Sequence, residues 1–318
     1  MPLGPAAGLA SAVDHRTDSR NGRLPVTRCP ATAETVDLVR AREFVYGVAR
    51  LLDRRLFAVL FEEGDGAFVL TALAAYQNAD GGFGHGLEPD TRTPLSQPLN
   101  VEVALQYMVV AGAVDVAMVQ AACEFLEAVS PASGGAPILL PGFEAHDHAP
   151  HWSGYGRPPE LVPNAGIVGL LHRLGVEHPW REAAAEAVWL WLDGEGLGAH
   201  DILDASIFLE SVADRTRAEA ASQRLAGDLP SAEWFKARPE AEGHGVPRWW
   251  FAPTPQSICR RWFDDAVIEA DLDHLAAEQQ EDGGWPISWN TPGAASVLEW
   301  RGIQSVRALR TLRAYGRV

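Results

Sequence analysis

Gln77-Asn78-Ala79-Asp80-Gly81-Gly82-Phe83 returns near the other end of the chain as Gln279-Gln280-Glu281-Asp282-Gly283-Gly284-Trp285. Both stretches read Gln-x-x-Asp-Gly-Gly-aromatic. Each follows an apolar, alanine-rich segment with helical spacing, and each precedes a Pro-containing loop and a further helix. A repeated junction marks a chain that builds similar helix–turn–helix units and stacks them. Gly-Gly permits positive φ, so the chain can turn sharply after a helix. The Asp can accept from backbone amides inside the turn. The Gln carries a donor and an acceptor, enough to bridge one helix end to the next. Gln77, Asp80, Gln279 and Asp282 are therefore expected to staple helix ends and not to catalyse.

Outward from these junctions the apolar residues keep the 3.6-residue period of amphipathic helices. In residues 41–61, Phe44, Val48, Leu51, Leu52, Leu56, Val59 and Leu60 share one broad face. Helices are expected from 65 or 66 to 77, from 96–98 through Met108, and over 114–129, 163–174, 180–192, 201–212 and 216–225. Others follow over 255–263, 266–280 and 294–315. Two irregular stretches interrupt them, 130–162 and 230–255, and loops of that length inside a domain are usually functional or lid-like. Strand-like alternation is nearly absent, so the fold class is all-α. Residues 1–33 are rich in Gly, Ala, Pro, Ser and Arg without a period. They read as a disordered leader to a single domain over 34–318.

Composition excludes several classes. The 318 residues carry a net charge of −16, the reverse of the basic stripe that a nucleic-acid binder needs. An anionic membrane surface is disfavoured for the same reason, which leaves room only for peripheral lipid contact. Three cysteines, Cys29, Cys123 and Cys259, form no CxxC pair and suggest neither a disulfide scaffold nor a cysteine-rich zinc site. No apolar run is long enough to span a bilayer, and the expectation is a soluble, cytoplasmic protein of unassigned oligomeric state.

The Gln-x-x-Asp-Gly-Gly-Phe/Trp phrase resembles the repeat motif of the terpenoid cyclases and the protein prenyltransferase β subunits. It is also similar to that of bacterial proteins described only as squalene-cyclase-like. The resemblance covers residues 40–316, with weaker copies at 194–198 and around 155–159. It implies an α/α toroid, with inner helices around a cavity and outer helices ringing them. The chain departs from every standard catalytic signature of those families. It has no Asp-x-Asp-Asp run; the nearest string, Asp271-Leu272-Asp273-His274, reads as the acidic, solvated face of an outer helix. Asp264-Asp265 lacks the rest of a DDxxD run, and no cysteine sits in a zinc-binding context.

In a toroid the loop after each Gly-Gly turn borders the cavity mouth. The first copy continues through His85, Glu88, Asp90 and Arg92. There a carboxylate of raised pKa can serve as an acid, and Arg92 can hold an anion or orient Asp90. The plainer alternative is a surface loop stapled by its own charges. Asp201 and Asp204 lie three apart and share a helix face. Asp201 also fits a cap, whereas Asp204 sits among Ile202, Leu203, Ile207 and Phe208, where desolvation would poise it as an acid or an inter-helix hydrogen bond would hold it. His146-Asp147-His148 with His151 has the residue types of a divalent-metal site. Its loop setting favours instead a lid with Trp152 packed inward, and neither a metal nor another cofactor is indicated. Trp249, Trp250 and Trp289 are candidate ligand contacts, able to stabilise cations by their ring faces or simply to pack. Glu299 and Arg301 belong to the same mouth.

The resemblance to the terpenoid cyclases implies a hydrophobic isoprenoid substrate in a central cavity, protonated by Asp204, Asp90 or Glu88. The alternatives are a carbohydrate-active toroid with paired carboxylates and aromatic platforms, and a non-catalytic binder of an apolar ligand or peptide.

Overall fold

The computed structural model describes residues 36–132, 134–154, 158–241 and 243–318. The expected leader over 1–33 lies outside the described residues, and the weaker repeat around 155–159 lies partly so. Twelve α-helices are formed among the described residues. The first six are α1 (Leu38–Val48), α2 (Leu51–Phe61), α3 (Gly66–Leu73), α4 (Pro98–Ala111), α5 (Val116–Val129) and α6 (Leu161–Leu174). They are followed by α7 (Pro179–Leu192), α8 (Ala199–Ser211), α9 (Arg215–Asp228), α10 (Arg248–Phe251), α11 (Asp265–Ala277) and α12 (Ala294–Ala314). The only strands among the described residues are β1 (Phe235–Lys236) and β2 (Val246–Pro247), which pair in parallel. The fold is all-α, and none of its described helices is long and apolar enough to cross a membrane.

Successive even-numbered helices touch one another from α2 to α10, and α11 joins α10 to α12. α2 packs on α4, α4 on α6, α6 on α8 and α8 on α10, and α12 returns to α2. The odd-numbered helices pack against these: α3 against α2 and α4, α7 against α6, α9 against α8, α11 against α10 and α12, and α1 against α12 and α2.

The two copies of the repeated phrase have one geometry. Gln77 Nε2 donates to the carbonyls of Gly81 and Met118, 2.9 Å each, and so ties the end of the α3 unit to the start of α5. Gln279 Nε2 donates to the carbonyls of Gly283 and Asp37, 3.0 Å each, while the Asp37 amide donates back to Gln279 Oε1 at 2.8 Å. Asp37 caps α1, so the second copy fastens the end of α11 to the beginning of the chain's first helix. Asp80 and Asp282 each accept from the amide two residues on, at 3.0 and 3.1 Å. Gly81 and Gly283 adopt φ of +86° and +89°. A Cβ on either would lie 2.2 Å from a backbone oxygen of the neighbouring helix, that of Ala121 in α5 or Arg40 in α1. The expected stapling role is what these residues perform, and Arg301 adds a bidentate pair to Asp282 at 2.8 Å.

Two expectations are corrected. The face read across 41–61 is broken, because Ala49 and Arg50 are extended between α1 and α2. Arg50 turns inward there to Asp53, Tyr107 and the Leu87 carbonyl. Asp271 is not on a solvated face: it is buried, with a bidentate pair to Arg248 at 2.9 and 2.6 Å. Only Asp273 is exposed, paired with Arg317 at 2.7 Å. The segment at 194–198 is the α7–α8 connection.

Candidate functional site

A cavity of about 300 Å³ lies among the even-numbered helices, each of which contributes to its wall. Its aliphatic surface comes from residues such as Leu56, Val110, Leu170 and Ile303, and its aromatic surface from Trp249, Trp250 and Trp300. Into this apolar lining project Asp204 from α8, Glu88 from the loop before α4, and Arg307 and Arg310 from α12.

Asp204 is buried, and its Oδ2 has no hydrogen-bond partner among the described residues. Burial pushes its carboxyl well above the usual range, and the charges of Glu102 and Asp201 push in the same direction. Glu102 stands behind it on α4, also buried, its Oε1 accepting from Gln106 at 2.8 Å. Burial raises Glu102 to about 7 despite that hydrogen bond and the attraction of Arg307. Room for Glu102 between α4 and α6 depends on Gly166: a Cβ there would lie 2.4 Å from Glu102 Oε1. Burial raises both carboxyls, and Asp204 is the one facing the cavity.

A second pair lies in the loop after the first Gly-Gly turn. Glu88 is raised by burial and by Asp90, while Asp90 is raised to about 6 by burial, partly offset by the indoles of Trp300 and Trp289. Trp289 Nε1 donates to Asp90 Oδ2 at 3.0 Å, and His151 Nε2 stands 3.7 Å from the same oxygen. Trp289 packs edge-on against Trp300 at 5.1 Å and against His244 at 5.7 Å, and His244 stacks on His200 at 5.3 Å. Burial, then His244 and His151, lower His200 to about 4, so it is neutral at physiological pH. The loop is anchored from below: Arg50 donates to the Leu87 carbonyl at 2.8 Å while pairing with buried Asp53, and Tyr107 bonds both. From above, the 130–162 segment is pinned to it by Ala149 N to Asp90 O and Arg92 N to Asp147 O, both 2.8 Å.

The structure therefore brings Asp204, Glu88, Trp249 and Trp250 to one cavity, and Asp90 and Trp289 to one contact beside it. The other expected residues lie elsewhere. His85 is exposed and bonded to Asn78 at 2.9 Å. Arg92 pairs with Glu299. Asp201 accepts from the Gly198 amide at 2.9 Å as a cap of α8. Trp152 packs on the small apolar cluster of Ile138, Leu139 and Phe143 under the 130–162 segment. His148 is bonded to the His146 carbonyl, and no group of three or more His, Cys, Asp or Glu side chains has metal-binding geometry among the described residues.

Sequence reasoning misses Glu102, Arg307, Arg310, His200 and His244. A signal existed for the arginines: Trp300, Ile303, Arg307 and Arg310 are spaced three and four apart, as one inward stripe of α12. No family model matches the chain, and no curated protein matches it.

Proposed function

We propose that the chain is an α/α toroid of the terpenoid-cyclase and protein-prenyltransferase kind, which takes a hydrophobic small molecule into its central cavity and donates a proton to it from Asp204. The ordered contacts of the even helices, and the second Gln-x-x-Asp-Gly-Gly copy fastening α11 to α1, support the ring. The observation that carries the chemistry is Asp204: a carboxyl buried in an apolar wall, with an unbonded oxygen and a second acid behind it. A carboxyl raised by burial toward the working pH suits a general acid, and Glu102 adds to the shift. The faces of Trp249 and Trp300 suit a cation developing on the substrate. Glu88 lines the same cavity with Asp90 beside it in the loop, and both are assigned to substrate entry, with Trp289 orienting Asp90.

The test incubates the protein and its Asp204→Asn variant with squalene-like hydrocarbons and prenyl diphosphates, with products followed by gas chromatography and mass spectrometry. Loss of product with retained substrate binding supports the assignment. Unchanged product formation in the variant rejects Asp204 as the acid. Binding without turnover of any substrate by the unmodified protein favours the non-catalytic binder.

A further inference from the structure

Arg307 and Arg310 have no role in proton transfer to a hydrocarbon. They lie three apart on α12, so they share a face, and that face lines the cavity. Arg307 stacks over the Trp250 ring at 4.5 Å, and Arg310 Nε is buried without a hydrogen-bond partner. Neither guanidinium is paired with a carboxylate among the described residues. Two of the acids near them already have other partners. Glu210 accepts from Arg173 and from the Ile258 amide, and Glu102 accepts from Gln106 with a carboxyl raised to about 7. Burial and the repulsion of Arg310 lower Arg307 to about 10, and burial and Arg173 lower Arg310. Both side chains are half-buried in the cavity wall, and two guanidinium groups on one face without a carboxylate partner call for a counter-charge.

We infer that Arg307 and Arg310 form the seat for a single oxyanion, a carboxylate or phosphate monoester, at one end of an otherwise apolar ligand. Three helical turns separate Trp300 from Arg310, about 15 Å along α12. The head group sits at Arg307 and Arg310, and the chain runs past Asp204 toward Trp300. This rests on the cavity-binding reading above and narrows its substrate class to anionic amphiphiles.

The experiment measures binding of dodecanoate, dodecyl phosphate and dodecanol by titration calorimetry, below their micellar concentrations. The proteins compared are the unmodified chain, Arg307→Gln and Arg310→Gln. Each arginine contributes a charge-assisted hydrogen bond, so each variant should lose about tenfold or more in affinity for an anionic chain and keep its affinity for dodecanol. Whichever of the two anions binds more tightly identifies the head group. If dodecanol binds the unmodified protein as tightly as both anions do, the oxyanion seat is overturned while the apolar cavity stands. If none of the three binds, both readings fall. Thermal melting without ligand gives a second readout. Removing an unpaired, half-buried charge should leave the Tm unchanged or raise it, whereas a fall of several degrees in both variants would make the arginines structural and overturn the proposal.

Discussion

Glu102→Gln isolates the question of whether the interior acids are held protonated by the fold. Glutamine keeps the shape of the side chain, and its amide oxygen can still accept from Gln106, now at 2.8 Å, beside Gly166. What it removes is the titration. Burial holds the Glu102 carboxyl at about 7 against an ordinary 4.5. Below that ordinary value the folded and unfolded chains both carry the proton. Across the interval only the folded chain does, so stability falls as pH rises through it and levels off above about 7. Each tenfold change in proton affinity corresponds to about 1.4 kcal/mol, which makes the full loss about 3 kcal/mol. The variant has no such loss. The two proteins should be equally stable near pH 4, and the variant should be more stable by about 3 kcal/mol near pH 8. Urea unfolding followed by tryptophan fluorescence across that range measures the difference directly. If the two stability curves run parallel at all pH values, Glu102 is not held protonated, and the reasoning about the acid pair fails with it.

Three further outcomes follow from the geometry. Gly283→Ala should destabilise by about 2–4 kcal/mol, since positive φ and a close approach to the Arg40 carbonyl act together. Gly112→Ala, at φ +62° with nothing within 4 Å, isolates the φ contribution and should cost about 1 kcal/mol; equal urea midpoints for the two variants would refute the close-packing account of the junction. Arg50→Met strands buried Asp53 and should cost about 3–5 kcal/mol, while adding Asp53→Leu should restore most of it; a double variant no more stable than the single one would show that the ion pair is not the source of the loss. Product analysis of Asp204→Asn should show activity lost with binding retained, as set out above.

The helices were legible because apolar residues at three- and four-residue spacing must face a core wherever they lie. The junctions were legible because a sharp turn with orphan helix ends needs glycine, a capping carboxylate and an amide, and little else satisfies all three. The break at Ala49–Arg50 was not, since the apolar residues on either side keep a helical period and the partners that draw Arg50 inward, Tyr107 and the Leu87 carbonyl, are distant in sequence. Asp204 could be found from its apolar neighbours in sequence. Glu102 could not: one acid in an apolar helix reads as its solvent edge, and only Gly166 on another helix makes room for it inside. Asp271 fails in the opposite sense, an acid that looks exposed until Arg248 arrives from the irregular segment. Arg307 and Arg310 are hidden by abundance, in a chain whose cations are nearly all arginine.

The interior contains acids and bases that do not pair, and this separates a functional reading from a structural one. Where the chain needs a buried ion pair for support it makes one, in Arg50–Asp53 and in Arg248–Asp271, each with bidentate or shared hydrogen bonds. Asp204 from α8, and Arg307 and Arg310 from α12, line one cavity instead with no ion pair among them. Uncompensated charge and unbonded carboxyl oxygen both reduce stability, and a sequence relieved of function would replace them with apolar residues. Local rules that are kept elsewhere in a protein and broken together around one cavity point to that cavity as the working part. The same logic sets the direction of the Glu102→Gln outcome: gain of stability with loss of the acid pair is the signature expected of a residue retained for chemistry.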